Sequence, residues 1–566
     1  MGSTTAPKEF TFEHAKLGEL KGWHRQGDIV QFRGIPFASI PGRFRQSVLR
    51  HALPTQPFDA TQPGPVCPTS PPPTLNFWDG PLTEEYPVLK QPVEDEFECL
   101  NLSITAPLAA LENTELNLPV FTFIHGGGFV GGNQSIQVAG REMFDMHNLV
   151  QRSVRTHKPI IAVTINYRVG LLGFLASRSL AEFNKSHGEP VGNYGLHDQS
   201  RAIEWLSYFI NGFGGDPSRI TIQGTSAGSA SCHYQSFFPR RQFSRVILAS
   251  GGLTSIGPLS LDKLQQLYDR VVAALDTEDS QSGTSSLDNV RHCPVQHLTH
   301  RHEFDLLNPL VDGEYILDNT ILAASRGEEV LPIMMGATAF EDDLATFLFT
   351  DLKSMTLKSD GQILSKIKEV LSANGMLRDP TNFPFNQPAV LESYGLTSTV
   401  SCPSQNVEGW SRFVAHCIFN IPNVHSALVT QRALPKPEGR VWLYHYDVGN
   451  LYPGCHVPKR PHHGANDPVL FNVAPDLILE EERPSWEASV LQTQDAWIAF
   501  INEESPWDPL RHESSLSKSE SAGPVFCFRD HGKGRQHNTL QDGLGDLTAR
   551  QYVSVIAESC EYHRSG

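Results

Sequence analysis

The apolar positions of the chain predict strands that are buried on both faces and separated by amphipathic helices. Residues 118–124 form an apolar run of strand length, and residues 159–168 and the β-branched run that begins at Ile220 repeat it. Such runs are typical of strands in parallel sheets. Residues 198–211 place apolar side chains at helical spacing between two of them. This alternation predicts an α/β fold with a large, mostly parallel central sheet flanked by helices.

Three further segments extend this plan. Residues 28–38 read as an amino-terminal strand that leads into a turn, and residues 486–500 read as an amphipathic helix of the carboxy-terminal region. Between Cys67 and Cys99 the chain is rich in proline. Because long loops in compact enzymes often cover binding sites, this segment is predicted to be a lid-like loop.

Composition favours one globular body. Of the 566 residues, 39% are apolar and 19% charged, and no linker divides the chain, which predicts a single domain over residues 1–566 with peripheral termini at about 1–15 and 530–566. The net charge of −17 argues against nucleic acid as a partner, because phosphate binding needs a basic surface. The oligomeric state stays open.

No segment approaches the about 18 apolar residues of a membrane span, and the first ten residues have no apolar core typical of a signal peptide. These two observations predict a protein of the cytoplasm. Nine cysteines at irregular spacings, without a C-x-x-C pair, indicate neither a disulfide scaffold nor a zinc ribbon. We therefore expect no metal and no cofactor.

The strongest chemical motif is Gly-x-Ser-x-Gly, at Gly224 to Gly228. It follows a β-branched run and precedes small residues that can begin a helix, which is the setting of a nucleophile elbow. The glycines permit a tight, strained turn, so Ser226 is predicted to lie at its apex with its hydroxyl toward a substrate. The pentapeptide alone is a weak signal, since chance produces it often.

A second motif follows the apolar run at residues 118–124. His125-Gly126-Gly127-Gly128-Phe129 resembles the oxyanion-hole pattern of lipases and esterases, in which glycines let backbone N–H groups face one point. A phosphate-binding loop is excluded because no Gly-Lys-Ser/Thr follows.

Taken together, the motifs resemble type-B carboxylesterases of the α/β-hydrolase superfamily, the group that includes cholinesterases, fungal lipases and the non-catalytic neuroligins. The resemblance spans roughly residues 20 to 530. The matching stretches, in chain order, are Arg33-Gly34-Ile35-Pro36-Phe37-Ala38, Glu98-Cys99-Leu100-Asn101-Leu102, the His125 motif, Asn166-Tyr167-Arg168, Gly192-Asn193-Tyr194-Gly195-Leu196-His197-Asp198-Gln199, Phe213-Gly214-Gly215-Asp216-Pro217 and the Ser226 motif.

The resemblance implies a serine nucleophile with a histidine base and a carboxylate that orients the histidine, in the chain order Ser, acid, His. It also implies that the backbone N–H groups of Gly127, Gly128 and Ala227 hold the oxyanion. The family's acid stands five residues beyond a strand-ending glycine, which is Glu341 here. Asp342 replaces the usual glycine that follows, so Asp342 and Asp343 stay as rival acids.

The family's histidine precedes a glycine and lies eight residues before a phenylalanine. Among 23 histidines, His463 fits this spacing and leads to Phe471, whereas His462 and His456 do not. His462 and His463 could instead be read as a metal pair, but adjacent residues of an extended segment point to opposite faces and make poor joint ligands.

Departures from the family pattern shape the expected function. Most members carry Glu before the nucleophile, and Thr225 here predicts that a carboxylate beside His463 is missing. The chain is therefore not expected to be a specific cholinesterase. Cys67 and Cys99 match the family's first disulfide and form a possible disulfide here, with free thiols as the alternative in a reducing compartment.

The sequence thus predicts a carboxylic ester hydrolase that acts through an acyl-enzyme on small-molecule esters with neutral, apolar or aromatic groups. An acyl transferase that uses the same triad is the alternative, because both reactions share the acyl-enzyme. A neuroligin-like binding protein is disfavoured, since Ser226 is present.

Overall fold

The computed structural model describes residues 7–69, 92–138, 140–253, 255–276, 285–299, 307–317, 331–342, 365, 394, 407–433, 440–455, 457–511 and 523–539. The strands are β1 Lys8–His14, β2 Gly18–Arg25, β3 Ile29–Pro36, β4 Ala38–Ser39, β5 Val48–Leu49, β6 Phe58–Asp59, β7 Asn101–Pro107, β8 Leu118–Ile124, β9 Gln137–Val138, β10 Arg141–Glu142, β11 Ile161–Ile165, β12 Gly215–Thr225, β13 Arg245–Ala249, β14 Ile333–Thr338, β15 Val441–Asp447, β16 Val525–Arg529 and β17 Arg535–His537.

The α-helices are α1 Leu108–Glu112, α2 His147–Arg155, α3 Gly170–Phe174, α4 Arg178–Ser186, α5 Tyr194–Phe209, α6 Ala227–Gln235, α7 Leu261–Asp276, α8 Ser286–His292, α9 Gln296–Thr299, α10 Val407–Ala415, α11 Ile421–Ala433, α12 Asn466–Phe471 and α13 Arg483–Ile501. A π-helical segment, His416–Asn420, joins α10 to α11.

One large sheet organises the described residues. Its strand order is β1-β2-β3-β7-β11-β8-β12-β13-β14-β15-β16-β17, and β6 pairs with β2. From β11 to β16 every neighbouring pair is parallel, whereas β1, β2, β3 and β7 and the last strand, β17, pair in antiparallel fashion. The central, mostly parallel sheet is confirmed, and the antiparallel flank adds to the expected plan.

The centre of the sheet is buried on both faces because alternate side chains of each strand pack into opposite cores. In β8, Val120 and Ile124 belong to one apolar cluster, whereas Phe121 and Phe123 belong to the other. All seven residues of β8 are buried. An apolar strand without polar alternation is the sequence pattern that this position requires.

Element bounds agree with the sequence patterns to within a few residues. The run at 118–124 coincides with β8, and residues 486–500 lie inside α13. The helix predicted at 198–211 begins earlier, at Tyr194. Asn193, in the left-handed conformation, precedes it and is fixed by a hydrogen bond to the Leu310 carbonyl. The spacing of apolar residues indicates which face of a helix is buried. It does not indicate a hydrogen bond that fixes where the helix begins.

The described parts of both terminal segments contribute edge strands. β1 forms one edge of the sheet, and β17 forms the opposite edge. Most of the lid-like loop, residues 70–91, and the tail from 540 lie outside the described residues.

Candidate active site

The nucleophile elbow forms where β12 ends and α6 begins. Ser226 lies between them with φ 61° and ψ −126°, a conformation that a residue with a side chain rarely adopts. Its backbone N–H donates to the Ala249 carbonyl over 2.9 Å, which ties the turn to β13. The strained backbone turns a partly exposed serine out of the carboxyl edge of the sheet.

The two glycines of the motif are required by close backbone contacts. A Cβ atom at Gly224 would lie 2.1 Å from the carbonyl carbon of Gly228, and a Cβ at Gly228 would lie 2.1 Å from the carbonyl oxygen of Ile124. The second contact places α6 directly against the end of β8. The same two glycines therefore make the turn and bring the nucleophile next to the loop that follows β8.

That loop contains the residues predicted to form the oxyanion hole. Gly127 has φ 116°, where a side chain would also meet the Gly131 carbonyl at 2.2 Å, and Gly128 has φ 63°. A Cβ at Gly126 would be 3.2 Å from the Ser226 Cβ, so the loop lies against the serine. Ala227 begins α6, and the first N–H groups of a helix lack partners within it.

Tyr167 holds the start of this loop. Its hydroxyl donates to the His125 carbonyl over 2.8 Å, and its ring stacks on the His125 imidazole with a 4.3 Å separation of ring centres. Burial lowers the pKa of His125 to about 4. His125 is consequently neutral near pH 7 and acts as a packing element of the loop.

Glu341 and His463 form a buried pair through the Glu341 Oε2 and the His463 Nδ1. Glu341 follows β14 and is fully buried. Its Oε1 accepts a hydrogen bond of 3.1 Å from the Thr338 backbone N–H, and the Ser250 hydroxyl provides another. Burial alone would raise the pKa of Glu341, but the positive field of His463 and these hydrogen bonds together hold it below its ordinary value.

The rival residues have other contacts. Asp342 lies 3.8 Å from Arg412, and Asp343 lies outside the described residues. His462 is held by Asn450, whose amide contacts its Nε2 at 2.7 Å, and by the His463 carbonyl, which accepts from its Nδ1 at 2.9 Å. His456 also lies outside the described residues.

The second nitrogen of His463 is available. Its Nε2 is buried and makes no hydrogen bond in the structure. The Phe419 ring, from the π-helical segment, packs against the imidazole with a 4.7 Å separation of ring centres. An imidazole with Nδ1 on a carboxylate and Nε2 unbound is oriented to accept a proton.

The carboxylate that most family members carry at position 225 is absent, and another carboxylate lies nearby. Asp467 is buried, and its Oδ1 accepts a 2.7 Å hydrogen bond from the Thr225 hydroxyl. Burial raises the pKa of Asp467 to about 7, against the opposing effects of Thr225, His463 and Asn466. Sequence reasoning missed Asp467, which follows His463 by four residues.

Cys67 and Cys99 are buried free thiols. The Cys99 thiol hydrogen bonds with Cys67, and this contact together with burial raises its pKa well above the ordinary value. The structure thus contains no bond between them, and oxidation of the pair to a disulfide stays a prediction.

Within the described part of the chain, no group of three or more His, Cys, Asp or Glu residues could hold a metal ion. None of the helices in that part is both long and apolar enough to cross a membrane.

A strained serine elbow on a central parallel strand, with an acid and a histidine on later loops of the same sheet edge, defines an α/β hydrolase. The model of the carboxylesterase family matches residues 11–528. The chain belongs to this carboxylesterase family.

Similar sequences include fungal lipases and an animal neuroligin. Lipase 1 of Yarrowia lipolytica is 37% identical over 262 residues, which are 45% of this chain and 49% of the relative. Lipase 4 of Diutina rugosa is 30% identical over 366 residues, 60% of this chain and 62% of the relative. Neuroligin-2 of Mus musculus is 29% identical over 359 residues, 57% of this chain and 40% of the relative. The chain thus spans about half the length of these relatives.

Solved structures support the fold. The carboxylesterase EST55 of Geobacillus stearothermophilus superimposes with a TM-score of 0.69 at 23% identity, over 96% of this chain and 99% of that chain. A PNB esterase superimposes with a TM-score of 0.66 at 22% identity, over 96% of this chain and 99% of that chain.

Proposed function

We propose that the chain is a serine carboxylic ester hydrolase in which Ser226 is the nucleophile, His463 the base and Glu341 the orienting acid. The observation that carries this proposal is the buried Glu341–His463 pair, whose Nε2 is unbound, on the same sheet edge as the strained Ser226 elbow. Such an arrangement activates a hydroxyl that is otherwise a weak nucleophile.

The proposed reaction begins when the Ser226 Oγ attacks the ester carbonyl carbon and its proton passes to the His463 Nε2. Glu341, which is ionised near pH 7, then faces a positively charged imidazole. The backbone N–H groups of Gly127, Gly128 and Ala227 hold the negative oxygen; one such donor is worth about 3 kcal/mol in the transition state. His463 returns the proton to the leaving alcohol, and an acyl-enzyme on Ser226 remains.

Water completes the cycle. It attacks the acyl carbon while His463 takes one of its protons, and that proton returns to the Ser226 Oγ as the acid leaves. If an alcohol replaced water in this step, the product would be a new ester, so the two reactions differ only in the acceptor.

For the substrate we propose esters with neutral, apolar or aromatic groups. Phe419 places an aromatic ring against the catalytic histidine. A second carboxylate near His463, that of Asp467, is only 3% exposed. Its Oδ1 accepts hydrogen bonds from both Thr225 and Asn466, so Asp467 does not offer its charge to a substrate cation.

Labelling with a fluorophosphonate probe tests the nucleophile. We expect the wild-type chain to be labelled and the Ser226→Ala variant to lose both labelling and ester turnover. Ser231→Ala is the matched control, because Ser231 is buried in the same helix, α6, and donates no proton in the mechanism. Unchanged turnover by folded Ser226→Ala would refute the assignment.

A panel of p-nitrophenyl esters of increasing acyl length then measures the size of the acyl pocket. Product analysis with and without an added alcohol separates hydrolysis from acyl transfer. Release of free acid as the main product in both conditions is expected, and predominant formation of the new ester would show a transferase instead.

A further inference from the structure

Asp467 is a second buried carboxylate between the nucleophile elbow and the histidine loop. It is the second residue of α12, only 3% exposed, and its Oδ1 accepts hydrogen bonds from the Thr225 Oγ1 at 2.7 Å and the Asn466 Nδ2 at 2.8 Å. Thr225 directly precedes Ser226. Asp467 thus connects the chain segment of the nucleophile to that of the base.

The ionisable groups that face Asp467 are few. Among the described residues they are His463 on its own loop and the Tyr444 and Tyr446 phenols of β15, with Glu341 reached through His463. Burial raises the pKa of both tyrosines far above the neutral range, so they stay uncharged. No lysine or arginine of the described residues contributes to its ionisation. The one positive charge that Asp467 can face is therefore a protonated His463.

We propose that Asp467 is a positioning residue of the reaction: its carboxylate, held by the Thr225 hydroxyl, stabilises the protonated His463 that forms when Ser226 attacks. This inference rests on the proposed function and deepens it. Asp467 does not touch the substrate. It acts through His463, as a second negative charge beside the one that Glu341 supplies.

Burying an unpaired carboxylate is costly, which is why such groups are kept where they have a partner or a role. The pKa of Asp467, raised by burial to about 7, means that its charge appears as the pH rises through the neutral range. His463 must be neutral to accept the proton from Ser226. The ionisation of Asp467 should therefore appear in the pH dependence of kcat/KM as an increase in rate.

Asp467→Asn tests the charge, because asparagine has nearly the same shape and can still accept from Thr225. At low pH, where Asp467 is already neutral, the variant and the wild type should have the same kcat/KM. On the alkaline plateau, where Asp467 is ionised in the wild type, the variant should be slower by about tenfold. KM should change little, because Asp467 does not contact substrate.

The readout is kcat/KM for a p-nitrophenyl ester between pH 5 and 9, followed at the isosbestic wavelength of p-nitrophenol, with the rate of fluorophosphonate labelling as a second profile. If Asp467 had a purely structural role, its replacement would lower kcat/KM by the same factor at every pH. Parallel profiles of folded Asp467→Asn and wild type would overturn the proposal. Asp447→Asn is the matched control, since Asp447 also has a pKa raised by burial but pairs with Arg529 at 3.0 Å.

Thr225→Val provides a second test, which decides the matter if Asp467→Asn does not fold. The Thr225 hydrogen bond lowers the pKa of Asp467, so its loss should delay ionisation to higher pH. The variant should match Asp467→Asn near neutral pH and approach the wild type in alkali. In the Asp467→Asn background, Thr225→Val should add less than about a twofold loss.

A Thr225→Val profile that coincides with the wild type or runs parallel to it would also overturn the proposal. Failure of the proposed function has a different result, because the wild-type chain would then show neither labelling nor ester turnover at any pH.

Discussion

Glu341 carries a negative charge where water cannot reach it, and the surrounding donors explain why it remains ionised. Burial raises the free energy of the charge, whereas His463, the Thr338 N–H and the Ser250 hydroxyl each stabilise it. The pKa of Glu341 in the folded chain lies below its ordinary value of 4.5. Such a group stabilises the fold above pH 4.5, and this contribution is lost as the pH falls through the lowered pKa.

The choice between two adjacent acids can be tested by replacing each in turn. Glu341→Gln should reduce kcat by about 10³–10⁴, since loss of the orienting carboxylate in comparable triads has effects of this size. Asp342→Asn should keep kcat within about threefold, because Asp342 lies near Arg412 and not on the histidine. Steady-state kinetics near pH 8, with thermal melts of both variants, give the comparison. A larger loss in Asp342→Asn than in Glu341→Gln would reverse the assignment.

Among the secondary-structure elements, the sequence correctly predicted the features that depend on residues close together in the chain. The bounds of β8 followed from its apolar run, and the Ser226 elbow followed from its two glycines, because both signals act within a few residues. The antiparallel flank of the sheet and the contact between Thr225 and Asp467 were missed. The two residues are 242 positions apart and are brought together only by the fold, so no local sequence pattern predicts their contact.

Helix α6 and strand β8 touch so closely that the elbow tolerates no added atom. Gly228→Ala would place a methyl group 2.1 Å from the Ile124 carbonyl oxygen, and we expect a loss of about 1–3 kcal/mol in unfolding free energy with a strong loss of turnover. Gly131→Ala is the control, because a Cβ there meets no atom within 4 Å. Denaturant unfolding and ester turnover of both variants provide the measurement. Equal stability of the two variants would contradict the close contact.

At the scale of the whole molecule, charge has a long-range effect on cations in solution and a separate local effect near the nucleophile. The net charge of −17 attracts cations from solution, but this attraction falls off within about 8 Å at physiological salt. Near the nucleophile, Asp467 is buried and bound by Thr225, and Glu341 is bound by His463. Of the aromatic residues in the lid-like loop, Phe77, Trp78 and Tyr86 lie outside the described residues, whereas Phe97 is exposed. The long-range attraction of cations is therefore not reinforced by a local cation site among the described residues.

We accordingly expect the enzyme not to prefer a cationic ester. Sites that bind quaternary ammonium groups stack them on aromatic faces, with about 0.5–2 kcal/mol for each contact. The experiment compares kcat/KM for a choline ester with kcat/KM for the dimethylbutyl ester of the same acid. In this uncharged isostere a carbon atom replaces the quaternary nitrogen. At physiological salt the two values should agree within about threefold, and at low salt the choline ester should gain through steering alone. A tenfold advantage of the choline ester at physiological salt, about 1.4 kcal/mol of transition-state stabilisation, would require a local cation site and would overturn the neutral-ester proposal.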